Sequence, residues 1–182
     1  MINSYKDYKY YLHRDFSSLC KRKCLTTFLF DDIYIFQKRL RRYEYVINTK
    51  KPALIRYYAK WLWLRSSVKL SFSIPPNVFG PGLSIVHRGT IVVSGKAKIG
   101  ENCRMHVCVN IGTNPNEVGA PCIGDDCYIG PGAKIYGNVA IGDKVKIGAN
   151  AVVNKSFLET GCTLVGVPAT KIVHNKSILS SI

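Results

Sequence analysis

Several things are missing from these 182 residues. No run of about 18 apolar residues occurs, so no helix that crosses a membrane is expected. The opening "MINSYKDYKYYLHRDF" has no apolar core of the kind a secretory signal needs, so the expected location is the cytoplasm. Acids are scarce: 11 Asp and Glu stand against 26 Lys and Arg, a formal charge of +15. The seven cysteines are odd in number and form no CxxC pair. They are expected to be reduced and buried, in neither a disulfide nor a metal site. No nucleic-acid-binding motif accompanies the positive charge, and no nucleic-acid partner is expected.

What is present divides into two regions and a tail. Hydrophobic residues make up 47% of the chain, enough for a packed core. Residues 1–70 hold 16 Lys/Arg against 5 Asp/Glu, and residues 71–182 hold 10 against 6. The first region, 1–70, reads as basic and helical. In "IFQKRLRRYEYVI" (35–47) Ile35, Leu40, Tyr43 and Val46–Ile47 fall roughly on one face. "PALIRYYAKWLWLR" (52–65) starts with a proline suited to a first helical turn and places Leu54, Ile55, Tyr58, Trp61, Leu62 and Arg65 at spacings of three and four. Such a helix packs against the rest of the protein or a neighbouring subunit, or it rests at a membrane surface. The basic half is suited to acidic glycans, anionic lipid head groups or phosphates, or is simply a solvated helical face.

The second region, 71–173, is a repeat, and 174–182 is a tail. Read by sixes, an aliphatic residue or Met stands at 93, 99, 105 and 111, then after an interruption at 123, 129, 135, 141, 147 and 153. Gly follows it at 99, 111, 123, 129, 141 and 147. Two residues ahead of it stands a small or β-branched residue: Ala97, Cys103, Val109, Cys127, Ala133, Val139, Val145, Ala151. No helix suits that period. Six residues make a short strand and a turn, and three such units close a triangular coil of about 18 residues. The aliphatic residues fill the interior, the small ones the corners, and the glycines are expected to permit the turn backbone. His87 stands six before Val93, where the lattice asks for an aliphatic residue. Gly89 and Thr90 are expected to break the phase, so that His87 points outward.

The six-residue pattern resembles the hexapeptide-repeat acyltransferases, whose fold is a left-handed parallel β-helix. "GLSIVHRGTIVV" (82–93), the insertion at 113–122, "IGPGAKIYGNVAIGDKVKIGANAVV" (129–153) and "VGVPATKIV" (165–173) resemble the serine acetyltransferase branch. The stretch 73–93 is similar to short members of that branch associated with bacterial surface polysaccharide synthesis. The resemblance implies homotrimers that use acetyl-CoA at a site between subunits. It implies that His87 is the general base for an acceptor hydroxyl. It places the co-substrate along Gly112, Thr113, Gly130, Ala133, Gly148 and Ala149, with Lys171 near a CoA phosphate. His106, Glu117 and Asn110 are candidates for support: His106 beside a neighbouring subunit's His87, Glu117 as a carboxylate across an interface.

The departures bear on the acceptor. The family's acid before the histidine is replaced by Val86, its upstream aspartate falls near Phe72 and Ser73, and its Arg-His pair is replaced by Gly119 and Ala120. A free amino acid carries two charges that want charged partners, whereas a sugar hydroxyl does not. A sugar or nucleotide-sugar acceptor is therefore expected ahead of L-serine. The terminal Ile182 resembles the residue with which serine acetyltransferases dock a partner enzyme. Two rivals remain open. A zinc enzyme needs three converging histidines, and of His13, His87, His106 and His174 only two lie in the coils. A non-catalytic solenoid would explain the lattice but not "VHRGTIVV".

Overall fold

The computed structural model describes residues 1–19 and 29–172. Cys20, Cys24, His174 and Ile182 lie outside these residues, as does the tail. Three described helices precede the coil: α1 (Tyr5–Ser18), α2 (Asp32–Asn48) and α3 (Ala53–Leu70). Ser4 accepts from the Asp7 amide and Asp31 from the Tyr34 amide, both at 3.0 Å, closing the first turns of α1 and α2. Pro52 stands at the start of α3, and Ser71, left-handed at φ 60°, ends it. The inner face of α2 differs in part from expectation. Leu40 and Val46 are buried, but Ile33, Phe36, Gln37, Arg41 and Glu44 complete that face, while Ile35, Tyr43 and Ile47 lie at its margin. Polar residues can take inner positions there because each finds a partner, as described below.

Short strands follow: β1 (Phe72–Ser73), β2 (Ser84–Ile85), β3 (Ile91–Val93), β4 (Lys98–Ile99), β5 (Arg104–Met105), β6 (Asn110–Gly112) and β7 (Cys122–Ile123). The run continues with β8 (Tyr128–Ile129), β9 (Lys134–Tyr136), β10 (Ala140–Ile141), β11 (Lys146–Ile147), β12 (Val152–Val153), β13 (Thr163–Val165) and β14 (Thr170–Ile172). They form three sheets, in the orders β1-β3-β6-β9-β12, β10-β7-β4 and β14-β13-β11-β8-β5-β2. All pairings are parallel except β13 with β14, a hairpin that closes the described end. Val93 lies beside Ile111, Ile123 beside Ile141, and Ile129 beside Ile147, each pair 18 residues apart. The chain is therefore a parallel β-helix with the expected coil length. The insertion before β7 lengthens one coil, so that Ile111 meets Ile135.

The lattice explains the core. Ile99, Ile111, Ile123, Ile129, Ile135, Ile141, Ile147 and Val153 point inward, and all the small corner residues from Ala97 to Ala151 are buried with them. The glycines do a different job from the expected one. The left-handed turn positions belong instead to Asn102, Cys108, Asp126, Gly132, Lys144 and Asn150, spaced by multiples of six, with φ between 54° and 74°. Gly100, which follows Ile99, is needed for closeness: a Cβ there would lie 2.8 Å from the Gly124 carbonyl carbon on the next coil. The cysteine expectation also needs correction. Cys103, Cys127 and Cys162 are buried, but Cys108 and Cys122 are exposed, because they stand at turn and outward strand positions. Burial pushes the Cys103 and Cys162 thiols up, and that of Cys127 up to about 11, so these stay protonated.

A buried arginine fastens the helices to the base of the coil. Arg41 donates from Nε to Asp15 at 2.8 Å and from Nη1 to Glu44 at 3.0 Å. It also donates to the carbonyls of Phe79 at 3.0 Å and Gly80 at 2.6 Å. Asp15 in turn accepts from the amides of Gly82 at 2.8 Å and Leu83 at 3.0 Å, and Glu44 from that of Asn77 at 2.8 Å. Burial opposes the charge on Arg41, but Asp15 and Glu44 outweigh it and raise its pKa. This cluster fixes α1 and α2 against the segment that leads to His87.

Candidate active site

The turn from β2 to β3 is longer than its counterparts. Ile85 to Val93 covers eight residues, whereas Met105 to Ile111, Ile129 to Ile135 and Ile147 to Val153 each cover six. The two extra residues cannot fit the lattice, so the chain bulges and His87 is carried to the surface. Gly89, with φ 132°, lies so close to Val107 that no side chain would fit. The expected break in phase is present, and it makes the imidazole available.

His106 occupies the next coil and is directed at the same place. Its ring centroid is 6.1 Å from that of His87 and 5.1 Å from that of Tyr128. His87 of the same chain is thus one neighbour of His106. Burial, then Arg104 and His87, lower the pKa of His106, so it is neutral at neutral pH. Its Nε2 is buried without a hydrogen-bond partner.

The helical region supplies what the coil lacks. A cleft of about 300 Å³ is lined by Phe30, Asp31, Asp32, Val86, His87 and Arg88. Asp32 bridges the two regions: it lies 3.1 Å from Arg88 Nη2 and 2.7 Å from Lys69 Nζ. Carboxylates and a guanidinium thus share the cleft with the imidazole. Reading the sequence around His87 misses them, because Asp31 and Asp32 are some 55 residues upstream. The only local sign is "DD" at the head of a helix, which reads as a cap.

The other candidates are placed unevenly. Asn110 and Gly112 lie on β6, and Thr113 follows at the start of the insertion, all half-exposed. Glu117 is held within its own chain, accepting from the Asn138 amide at 3.0 Å and the Asn114 side chain at 2.9 Å. In this way it braces the insertion. Gly130 is buried between coils, Gly148 is half-exposed and Ala149 exposed. Ala133 is a correction: its side chain lies in the interior with no exposed surface, so its methyl cannot touch a ligand. Lys171, on β14, is paired with Glu159 at 2.6 Å. Among the described residues no three His, Cys, Asp or Glu side chains converge as a metal ion would need.

Comparison with known proteins agrees with this geometry. Residues 123–155 match the bacterial transferase hexapeptide (six repeats) family. A serine acetyltransferase of Helicobacter pylori is 38% identical over 104 residues, 56% of this chain and 60% of its own length. A soybean serine acetyltransferase complexed with serine superposes with a TM-score of 0.76 at 26% identity, covering 92% of this chain and 70% of that one. A Brucella abortus serine acetyltransferase in complex with coenzyme A gives 0.76 at 26%, covering 92% and 68%. The chain spans about half the length of the curated relatives it matches. The coil thus carries the hexapeptide repeat of bacterial transferases, with a histidine standing outward from it. In sequence and in fold the chain is similar to serine acetyltransferases.

Proposed function

We propose that this protein is an acetyl-CoA-dependent O-acetyltransferase in which His87 is the general base. The observation that carries the reading is His87 itself, expelled from the lattice by a lengthened turn and set in a cleft beside a second, neutral imidazole. His87 takes the proton from an acceptor hydroxyl as the hydroxyl oxygen attacks the thioester carbonyl. Backbone N–H groups stabilise the oxyanion. The tetrahedral intermediate collapses, the carbon–sulfur bond breaks, and the His87 imidazolium returns the proton to the departing thiolate. An imidazole suits both steps, since its ordinary pKa lies near the working pH.

On this reading acetyl-CoA runs along the coils past Gly112, Thr113, Gly148 and Ala149 toward His87. The chain assembles as a trimer of left-handed coils with the site between neighbours. The acceptor favoured by the relatives is L-serine. The cleft supports that choice in that its lining sets a carboxylate, Asp32, beside a guanidinium, Arg88, the two charges that would face an ammonium and a carboxylate. A sugar or nucleotide-sugar acceptor keeps one specific support, the Gly119 and Ala120 that stand where relatives carry charged grip residues.

The test is thiol release from acetyl-CoA by the purified protein, with L-serine and a panel of sugars and nucleotide sugars. Release that needs one acceptor, and falls about 10²–10⁴-fold in His87→Ala, is the expected result. Undiminished release in that variant would remove His87 from the mechanism. Binding of acetyl-CoA with no acceptor turned over would favour a coil that has kept the fold without chemistry.

A further inference from the structure

Helix α3 carries an outward stripe that nothing in the described chain covers. Leu54, Tyr57, Trp61, Leu64 and Val68 recur at spacings of three and four, the register of a helical seam. They are 82%, 71%, 53%, 42% and 80% exposed, although the opposite side of α3, with Ala59, Ser66, Ser67 and Leu70, is buried. The stack of Trp63 on Tyr43 and the bond from Arg39 to Ser66 at 2.6 Å fix that buried side against α2. The stripe is therefore not an inner face waiting to fold down. A groove of about 740 Å³ lined by Trp61, Leu64, Arg65 and Val68 runs along it.

Charge decides what can cover the stripe. Arg56, Lys60, Arg65 and Lys69 flank it, and no acid occurs between Glu44 and Glu101. Pairing α3 with its own copy through this seam would set Lys60 against Arg65, a like-charge pair at the flanking positions. The chain as a whole is at +15, so a second copy offers little negative surface. An aromatic and aliphatic face flanked on its own helix by Arg56, Lys60 and Arg65 fits an anionic lipid surface: Trp and Tyr favour the interfacial zone, and the cations meet the head groups. We propose that α3 docks the protein, peripherally, on an anionic membrane. Lys69, at the end of this helix, shares Asp32 with Arg88, so the docked face adjoins the His87 cleft. The inference does not depend on the reaction that His87 performs.

The experiment is sedimentation of the full chain with phosphatidylcholine vesicles, with and without phosphatidylglycerol, while tryptophan emission is followed. Two surface variants accompany the native protein, Arg56→Gln/Lys60→Gln/Arg65→Gln and Trp61→Ser/Val68→Ser. The expected result is binding to the anionic vesicles alone, with a blue shift of emission. Each cation near such a surface contributes about fivefold, so the triple variant should bind on the order of a hundredfold more weakly. Loss in the stripe variant as well would show that both parts of the face are engaged. Absence of binding to anionic vesicles overturns the proposal. So does binding that survives the stripe variant, which would mean charge attraction alone. A stripe variant that changes the size of the assembly and leaves vesicle binding unaltered would assign the face to a second copy.

Discussion

At His87 two extra residues turn a core position into an outward one, and His106 and the cleft side chains surround it. His106 is the informative neighbour. If it carried a proton, it would repel a second proton on His87 and weaken the base. Burial prevents this by holding the pKa of His106 below its ordinary 6.5. In His106→Asn kcat should fall about tenfold, since positioning is lost and not the base. An unchanged kcat would show that His106 has no part in placing the acceptor or the base. The same shift has a sign in stability. A histidine whose pKa is lowered by folding stabilises the fold above pH 6.5, and the contribution fades as pH falls below that value. Denaturant melts of His106→Asn should accordingly lose less stability than the native protein between neutral and acid pH.

At the scale of elements the coil and the helices rest on different physics. The coil is held by repetition: Ile135 is fully buried between Ile111 and Val153, so Ile135→Ala should cost about 2–5 kcal/mol in urea unfolding. The junction is held by charge. Arg41→Met would leave Asp15 and Glu44 buried without their cation, at a cost of about 3–5 kcal/mol. Burial already raises the Glu44 carboxyl, against the pull of Arg41, from its ordinary 4.5. Removing the arginine would raise it further, so protonation relieves the strain. The deficit of the variant should therefore shrink as pH is lowered toward 4.5, and a pH-independent deficit would place the loss in packing alone. The contrast explains what could be read from the sequence. A six-residue period writes strands, interior and coil length directly, and the outward His87 follows from one break in that period. The α2 face and the cleft acids are different: Arg41, Asp31 and Asp32 look like solvated charges until the coil base and the β2–β3 turn arrive from far along the chain. The hexad glycines misled for a related reason, because close approach between coils is a property of the stacked fold and not of one turn.

For the whole molecule the question is whether one chain completes the site. His87, His106 and Asp32 meet within a single protomer, yet the proposed path of acetyl-CoA past Gly148 and Ala149 lies several strands further up the coil. A pantetheine arm that reaches His87 along a flank of the coil needs a second wall, and a neighbouring coil supplies one in a closed trimer. Two inactive proteins can then repair each other. His87→Ala lacks the base but keeps the co-substrate face, while Ala149→Trp, at an exposed position, fills that face and keeps the base. Co-expressed in equal amounts, the two should assemble at random, and a site that draws its base from one protomer and its wall from the next is intact about one time in four. Activity near a quarter of native is the expected outcome, with sedimentation to confirm that the mixture is trimeric. Each variant alone should stay inactive. If the mixture is trimeric and equally inactive, base and co-substrate face belong to the same protomer, and the shared site is wrong even if the reaction is right.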